Sequence, residues 1–128
     1  MGVETEMPQM VLLLKRKPGM SKEAFKVHYE TSHADMARRY QGHLIQDYRR
    51  NYLGGQMVMD DFFIDKDGNR PQVEDAFDAV TVISFATDAD MQEFLKIGKE
   101  HGDEYMEDEF RFLDREKCMH FVATQEVA

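Results

Sequence analysis

Cysteine is almost missing from this chain. Cys118 is the only one among 128 residues, so neither an intramolecular disulfide nor a cysteine-based zinc cluster is available. A reducing compartment, the cytoplasm, suits such a chain. Long apolar runs are missing as well. The stretch from Met10 to Leu14 is stopped by Lys15, Arg16 and Lys17, far short of a membrane span or a signal-peptide core. The opening Met1-Gly2-Val3-Glu4-Thr5-Glu6 puts Glu6 where a myristoylation signal needs Ser or Thr, so no lipid anchor is expected. Positive charge is also in short supply. A formal charge of −9 argues against nucleic acid or an anionic membrane as the main partner. The basic residues Lys15 to Lys17, Arg38, Arg39, Arg49 and Arg50 read as solvated ends of strands and helices, with a local anion contact as the other reading.

What is present is ordinary globular material. Hydrophobic residues make up 42% and charged residues 32%, enough apolar side chain for a core and too much for a disordered chain. The length is that of one domain. Residues 1–9 read as a tail and residues 10–126 as the domain, with an insert at about 54–78 that is acidic and broken by Asp67-Gly68-Asn69 and Pro71. Ten methionines suit either core filling or a pocket for a flat apolar compound.

The hydrophobic pattern predicts strand, helix, strand, strand, helix, strand. Met10 to Leu14 is apolar throughout, as in a central strand covered on both faces. Ser21 can cap a helix running to about Tyr40, with Phe25, Tyr29, Ser32, Met36 and Tyr40 on one stripe. His43 to Leu53 reads as a second strand and Ala79 to Ala86 as a third. Asp88 can cap a second long helix whose inner face holds Met91, Phe94, Leu95 and Gly98. A short helix over Asp103 to Leu113 should turn Tyr105, Met106, Phe110 and Leu113 inward, and Lys117 to Thr124 closes the chain as a strand. This order is the ferredoxin-like α+β arrangement, a four-stranded antiparallel sheet with its helices on one face. A first strand apolar on both sides, with Met119, Phe121 and Ala123 on one side of the last strand and Cys118 and Val122 on the other, implies that the bare face is buried too; a second copy is the economical cover, giving a homodimer.

His33 is the most informative residue for chemistry. It lies roughly 50° from the centre of the apolar stripe, close enough to point into the layer between helix and sheet, whereas His28 lies roughly 90° away on the other flank. Five residues apart on an α-helix, the two diverge, so a helical dihistidine metal site is not expected. Tyr29 and Tyr40 share the edge of His33. An imidazole can move a proton and a phenol can hold a carbonyl or enolate oxygen, so this is a candidate acid–base site. The same three residues also read as ordinary packing. His120 can reach the same layer or face the dimer core. Glu107-Asp108-Glu109 and the other acidic groups match no oxygen-ligand loop, so no metal site is expected.

Leu14-Lys15-Arg16-Lys17-Pro18-Gly19-Met20-Ser21 leading into Phe25, followed by His28-Tyr29-Glu30-Thr31-Ser32-His33-Ala34, resembles the opening of EthD-domain proteins of the dimeric α/β-barrel superfamily. The segments Asp47 to Leu53, Phe77 to Thr81, Glu107 to Glu109 and Phe112 to Arg115 are similar to later parts of that family. The resemblance implies a dimeric α/β barrel without a cofactor and a small-molecule substrate. It implies a lyase, cyclase or isomerase, of dehydratase or decarboxylase type, acting on an aromatic, polyketide-like or lactone compound. The alternative is a noncatalytic binding or accessory protein, and a haem-handling role is a third reading. By the resemblance the family's helix-borne histidine falls on His33. His33 and Tyr29 are then the catalytic candidates, with Tyr40, Tyr48, Arg49, Asn51, Asp78 and His120 as candidate substrate contacts. Family members often have proline two residues after this histidine, where this chain has Asp35, so its helix should run on.

Overall fold

A computed structural model describes residues 7–54, 63–69 and 76–125. The strands β1 (Gln9–Leu14), β2 (Asp47–Tyr52), β3 (Ala79–Ser84) and β4 (Met119–Ala123) form one antiparallel sheet in the order β2-β3-β1-β4. Strands alternate their side chains between faces, so the register fixes which residues meet the helices. Leu12 is paired with Thr81 and His120, and Met10 with Ile83 and Val122. Tyr48, Arg50 and Tyr52 share this face because they pair with Ile83, Thr81 and Ala79. Val11, Leu13, Val80, Val82, Met119 and Phe121 point the other way. This is the ferredoxin-like α+β fold that the element order predicts.

The helical layer begins where Ser21 Oγ accepts the Ala24 N–H and caps α1 (Lys22–His28). The chain runs through a π-helical turn (Tyr29–His33) into α2 (Ala34–Gln41), so the helix does continue past Asp35. Two further helices follow β3, α3 (Asp88–Glu100) and α4 (Gly102–Phe110). Phe25, Tyr29 and Ala34 pack with Leu14, Ala79, Phe112 and Leu113 in one core cluster. Ile83, Phe85, Met91 and Phe94 form the other. No helix among the described residues is long and apolar enough to cross a membrane.

Several boundaries move. Gln9, assigned to the tail, is the first residue of β1, and its amide donates to Ser84 Oγ at 3.0 Å. The second strand starts at Asp47, because Gly42–Leu44 makes a 3₁₀ turn that tucks Leu44 and Ile45 against the second cluster. Thr87 caps α3, its hydroxyl accepting the Asp90 N–H, and Asp88 is already inside the helix. Along α4, Met106 and Phe110 face outward, while Tyr105 is half-buried, Leu113 just beyond the helix is buried as expected, and Asp108, 1% exposed, is the helix's fully buried residue. Most of the insert at 54–78 lies outside the described residues.

Candidate functional site

The π turn decides the site. In an α-helix, positions five apart point about 140° apart, which is why the sequence pattern separates His28 from His33. A π turn is hydrogen-bonded between residues five apart, and here the Ala34 N–H reaches the Tyr29 carbonyl. The extra residue brings the two rings back to one side. His28 Nε2 donates to Asp108 Oδ1 at 3.0 Å and His33 Nδ1 to Asp108 Oδ2 at 2.9 Å, so the expected divergence does not occur. Ser32 Oγ, also in the turn, donates to Asp108 Oδ1 at 2.6 Å. Burial alone would push the Asp108 carboxyl up, but the hydrogen bonds from His33 and Ser32 and the nearby imidazoles outweigh it and hold it at about 2.

An ionised carboxylate only accepts, so His33 Nδ1 carries the proton in this pair. In the neutral ring Nε2 is then the basic nitrogen, and it lies 3.9 Å from Glu109 Oε2. Two cavities, of about 290 and 440 Å³, meet at this point and share Leu12, Tyr29, His33 and Glu109 in their walls. The first runs between β1, β3 and α3, past Met10, Ala37, Ile83, Phe94 and Leu95. The second opens toward β4, past Arg115, Glu116, Cys118, Met119 and His120.

Two phenol rings pack edge-on against His33, Tyr29 with its centroid at 5.8 Å and Tyr105 at 5.5 Å. Tyr29 is 1% exposed, and its hydroxyl lies 2.6 Å from Thr81 Oγ1. Tyr48 Oη donates to Tyr29 Oη at 3.3 Å, long for an O–H···O bond. Burial pushes both hydroxyls above the usual phenol range, so both stay neutral donors at neutral pH. Deeper in the first cavity, Gln41 is 2% exposed, donates to the Phe94 carbonyl at 2.7 Å and accepts from Tyr105 Oη.

The structure thus brings His33, Tyr29 and Tyr48 to one cavity and His120 to the other, and it puts the remaining candidates elsewhere. Tyr40 stacks on His101 at 3.8 Å, donates to Glu104 and lines neither cavity. Arg49 pairs with Asp47 at 2.6 Å on the far sheet face. Asn51, on that face too, donates to the Val80 carbonyl. Asp78 is 3% exposed and closes the end of the sheet, accepting the Arg16 N–H at 2.8 Å with Lys15 and Arg16 as charge partners. Sequence reasoning passed over Asp108, Glu109, Gln41 and Tyr105. The one available signal was Glu107-Asp108-Glu109, where an acidic residue lies within a helix that must bury one face. Beside the site, Arg50 grips Glu30 through Nε and Nη2 at 2.6 and 2.9 Å, and these bonds hold the Glu30 carboxyl down at about 2.

Comparison with known proteins agrees with this architecture. The EthD-domain family model matches residues 17–116. An EthD-family protein from Bacillus halodurans is similar in structure, with a TM-score of 0.61 and 20% identity over 94% of this chain and 99% of that one. A protein from Arabidopsis thaliana gives 0.59 at 11% identity over 94% and 97% of the two chains. An EthD-like protein from Ralstonia eutropha gives 0.58 at 16% identity over 98% and 95%. At these identities the likenesses establish the fold alone. No curated protein matches the chain. With the family model covering residues 17–116 and the fold shared throughout, the chain belongs to the EthD-domain family.

Proposed function

We propose that this protein is a cofactor-free lyase, cyclase or isomerase, of dehydratase or decarboxylase type, acting on an aromatic, polyketide-like or lactone compound through His33. The observation that carries the reading is the bond from His33 Nδ1 to the buried Asp108 at 2.9 Å, in a ring that lines both cavities. Asp108 fixes the ring and its tautomer and stabilises the imidazolium that proton transfer creates. Nε2 takes a proton from a carbon beside a carbonyl. The electron pair moves onto the carbonyl oxygen, to which the hydroxyl of Tyr29, a residue in the walls of both cavities, donates. The imidazolium then returns the proton to another carbon, or to a hydroxyl that leaves as water. Tyr48 donates to Tyr29 from behind, and Glu109 faces the imidazolium.

The proposal includes a second copy of the chain. In one copy Met119 and Phe121 are 51% and 52% exposed on the helix-free face beside Val11 and Leu13, an apolar surface that a partner sheet would cover.

The test is turnover on a compound found by screening hydroxylated aromatics and lactones for product by mass spectrometry. His33→Ala should lose about two to four orders of magnitude in rate. A folded His33→Ala variant with wild-type turnover would refute the assignment. Binding without product across the panel would favour a noncatalytic binding protein, which the apolar lining of the first cavity also suits.

A further inference from the structure

We infer that the site takes an elongated, two-ended ligand, with an alkyl or aryl group in the cavity toward α3 and an oxygen-bearing polar end in the cavity toward β4. The two cavities differ in which of their polar groups are already engaged. In the first, the Tyr48 hydroxyl donates to Tyr29, the Tyr105 hydroxyl to Gln41, and the Gln41 amide to the Phe94 carbonyl. Between them lie Met10, Ala37, Ile83 and Leu95. A ligand carbonyl, which only accepts, would lose its water here and find these donors already engaged, whereas a hydrocarbon group loses nothing.

The second cavity is the reverse. Among the described residues no hydrogen bond engages the His120 imidazole or the Glu116 carboxylate, and both line it. The Arg115 guanidinium uses Nε on Glu109 at 3.0 Å and retains its other donors. The arginine is balanced by Glu109 and Glu116, so a hydroxyl or carbonyl suits this end better than a second negative charge. His33, in both walls, stands where the two ends of such a ligand join. That placement puts the carbon between tail and polar head beside Nε2. The placement rests on the acid–base reading above, while the division of the site into two ends rests on the cavities.

The experiment is titration calorimetry on the full chain with 4-methyl-, 4-propyl-, 4-pentyl- and 4-heptylphenol. Affinity should rise about fourfold per methylene until the apolar cavity is full. Ala37→Leu should flatten this rise. Leu95→Trp, at a position 43% exposed and tolerant of bulk, gives the same test without a buried change. His120→Ala should weaken every member by about the same factor and leave the rise per methylene intact. A wild-type series independent of tail length, or the same rise in Leu95→Trp as in wild type, would overturn the inference. His33→Gln should keep the rise while losing turnover, so failure of the acid–base reading would appear in turnover and failure of this one in binding.

Discussion

Asp108 shows how one side chain can organise a site. Its carboxylate is 1% exposed yet receives His28, Ser32 and His33, so its burial is matched by donors. A carboxyl held at about 2, below its ordinary value near 4, contributes stability that is fully present above pH 4 and is lost as pH falls through 2. The contribution is at most about 2 kcal/mol, because the two imidazoles are partly solvated. Denaturant titrations between pH 2 and 5 should therefore show this part of the acid dependence in wild type and not in Asp108→Asn. The same variant should lose about two or more orders of magnitude in turnover by releasing the His33 tautomer, with a smaller effect on ligand affinity. His33 could be found from sequence because a histidine near an apolar stripe stands out. Asp108 could not, because its partners are 75 and 80 residues away and no local pattern links them.

At the scale of elements, hydrophobic periodicity predicted every strand and both long helices, since each must bury one face. It turned Tyr29 and His33 toward the sheet, and the structure has them there. It could not show the π turn, because no apolar spacing marks the extra residue; the turn is visible only where it carries residues 28, 32 and 33 to Asp108. Deleting the exposed Thr31 should remove the extra residue and leave a plain α-helix in which His28 and His33, then four apart, still share a side and reach Asp108. Less than about 1 kcal/mol should be lost in denaturant unfolding, and a loss of about 2–4 kcal/mol would mean that the turn itself holds the cluster. The start of α3 was misread for a simpler reason. Thr87 and Asp88 are both good caps, and only the extended backbone at Thr87, with φ −141° and ψ 161°, separates them. Thr87→Ala should cost about 1 kcal/mol and Asp88→Ala less, measured by thermal unfolding.

For the whole molecule, the sheet positions the site on one face and leaves the other for the partner copy proposed above. Helices cover one face and create the cavities; the other face is apolar at its centre and polar toward β2, where Asp47 and Arg49 pair. A second copy laid on it would give an interface above about 2,000 Å² and would shield edge strands that invite aggregation. The proposed dimer should hold at micromolar concentration in sedimentation velocity. Phe121→Asp should yield a folded monomer, and a wild-type chain sedimenting at the 15.0 kDa monomer mass would contradict the proposed assembly.

On the proposed chemistry, Asp108 sets the His33 tautomer and leaves Nε2 as the base. Long-range proton–nitrogen NMR correlation on the labelled protein, at a pH where the His33 ring is neutral, tests it without a substrate. A proton on Nδ1 and a bare Nε2 are expected in wild type, with this preference lost in Asp108→Asn. A neutral His33 carrying its proton on Nε2 would contradict it.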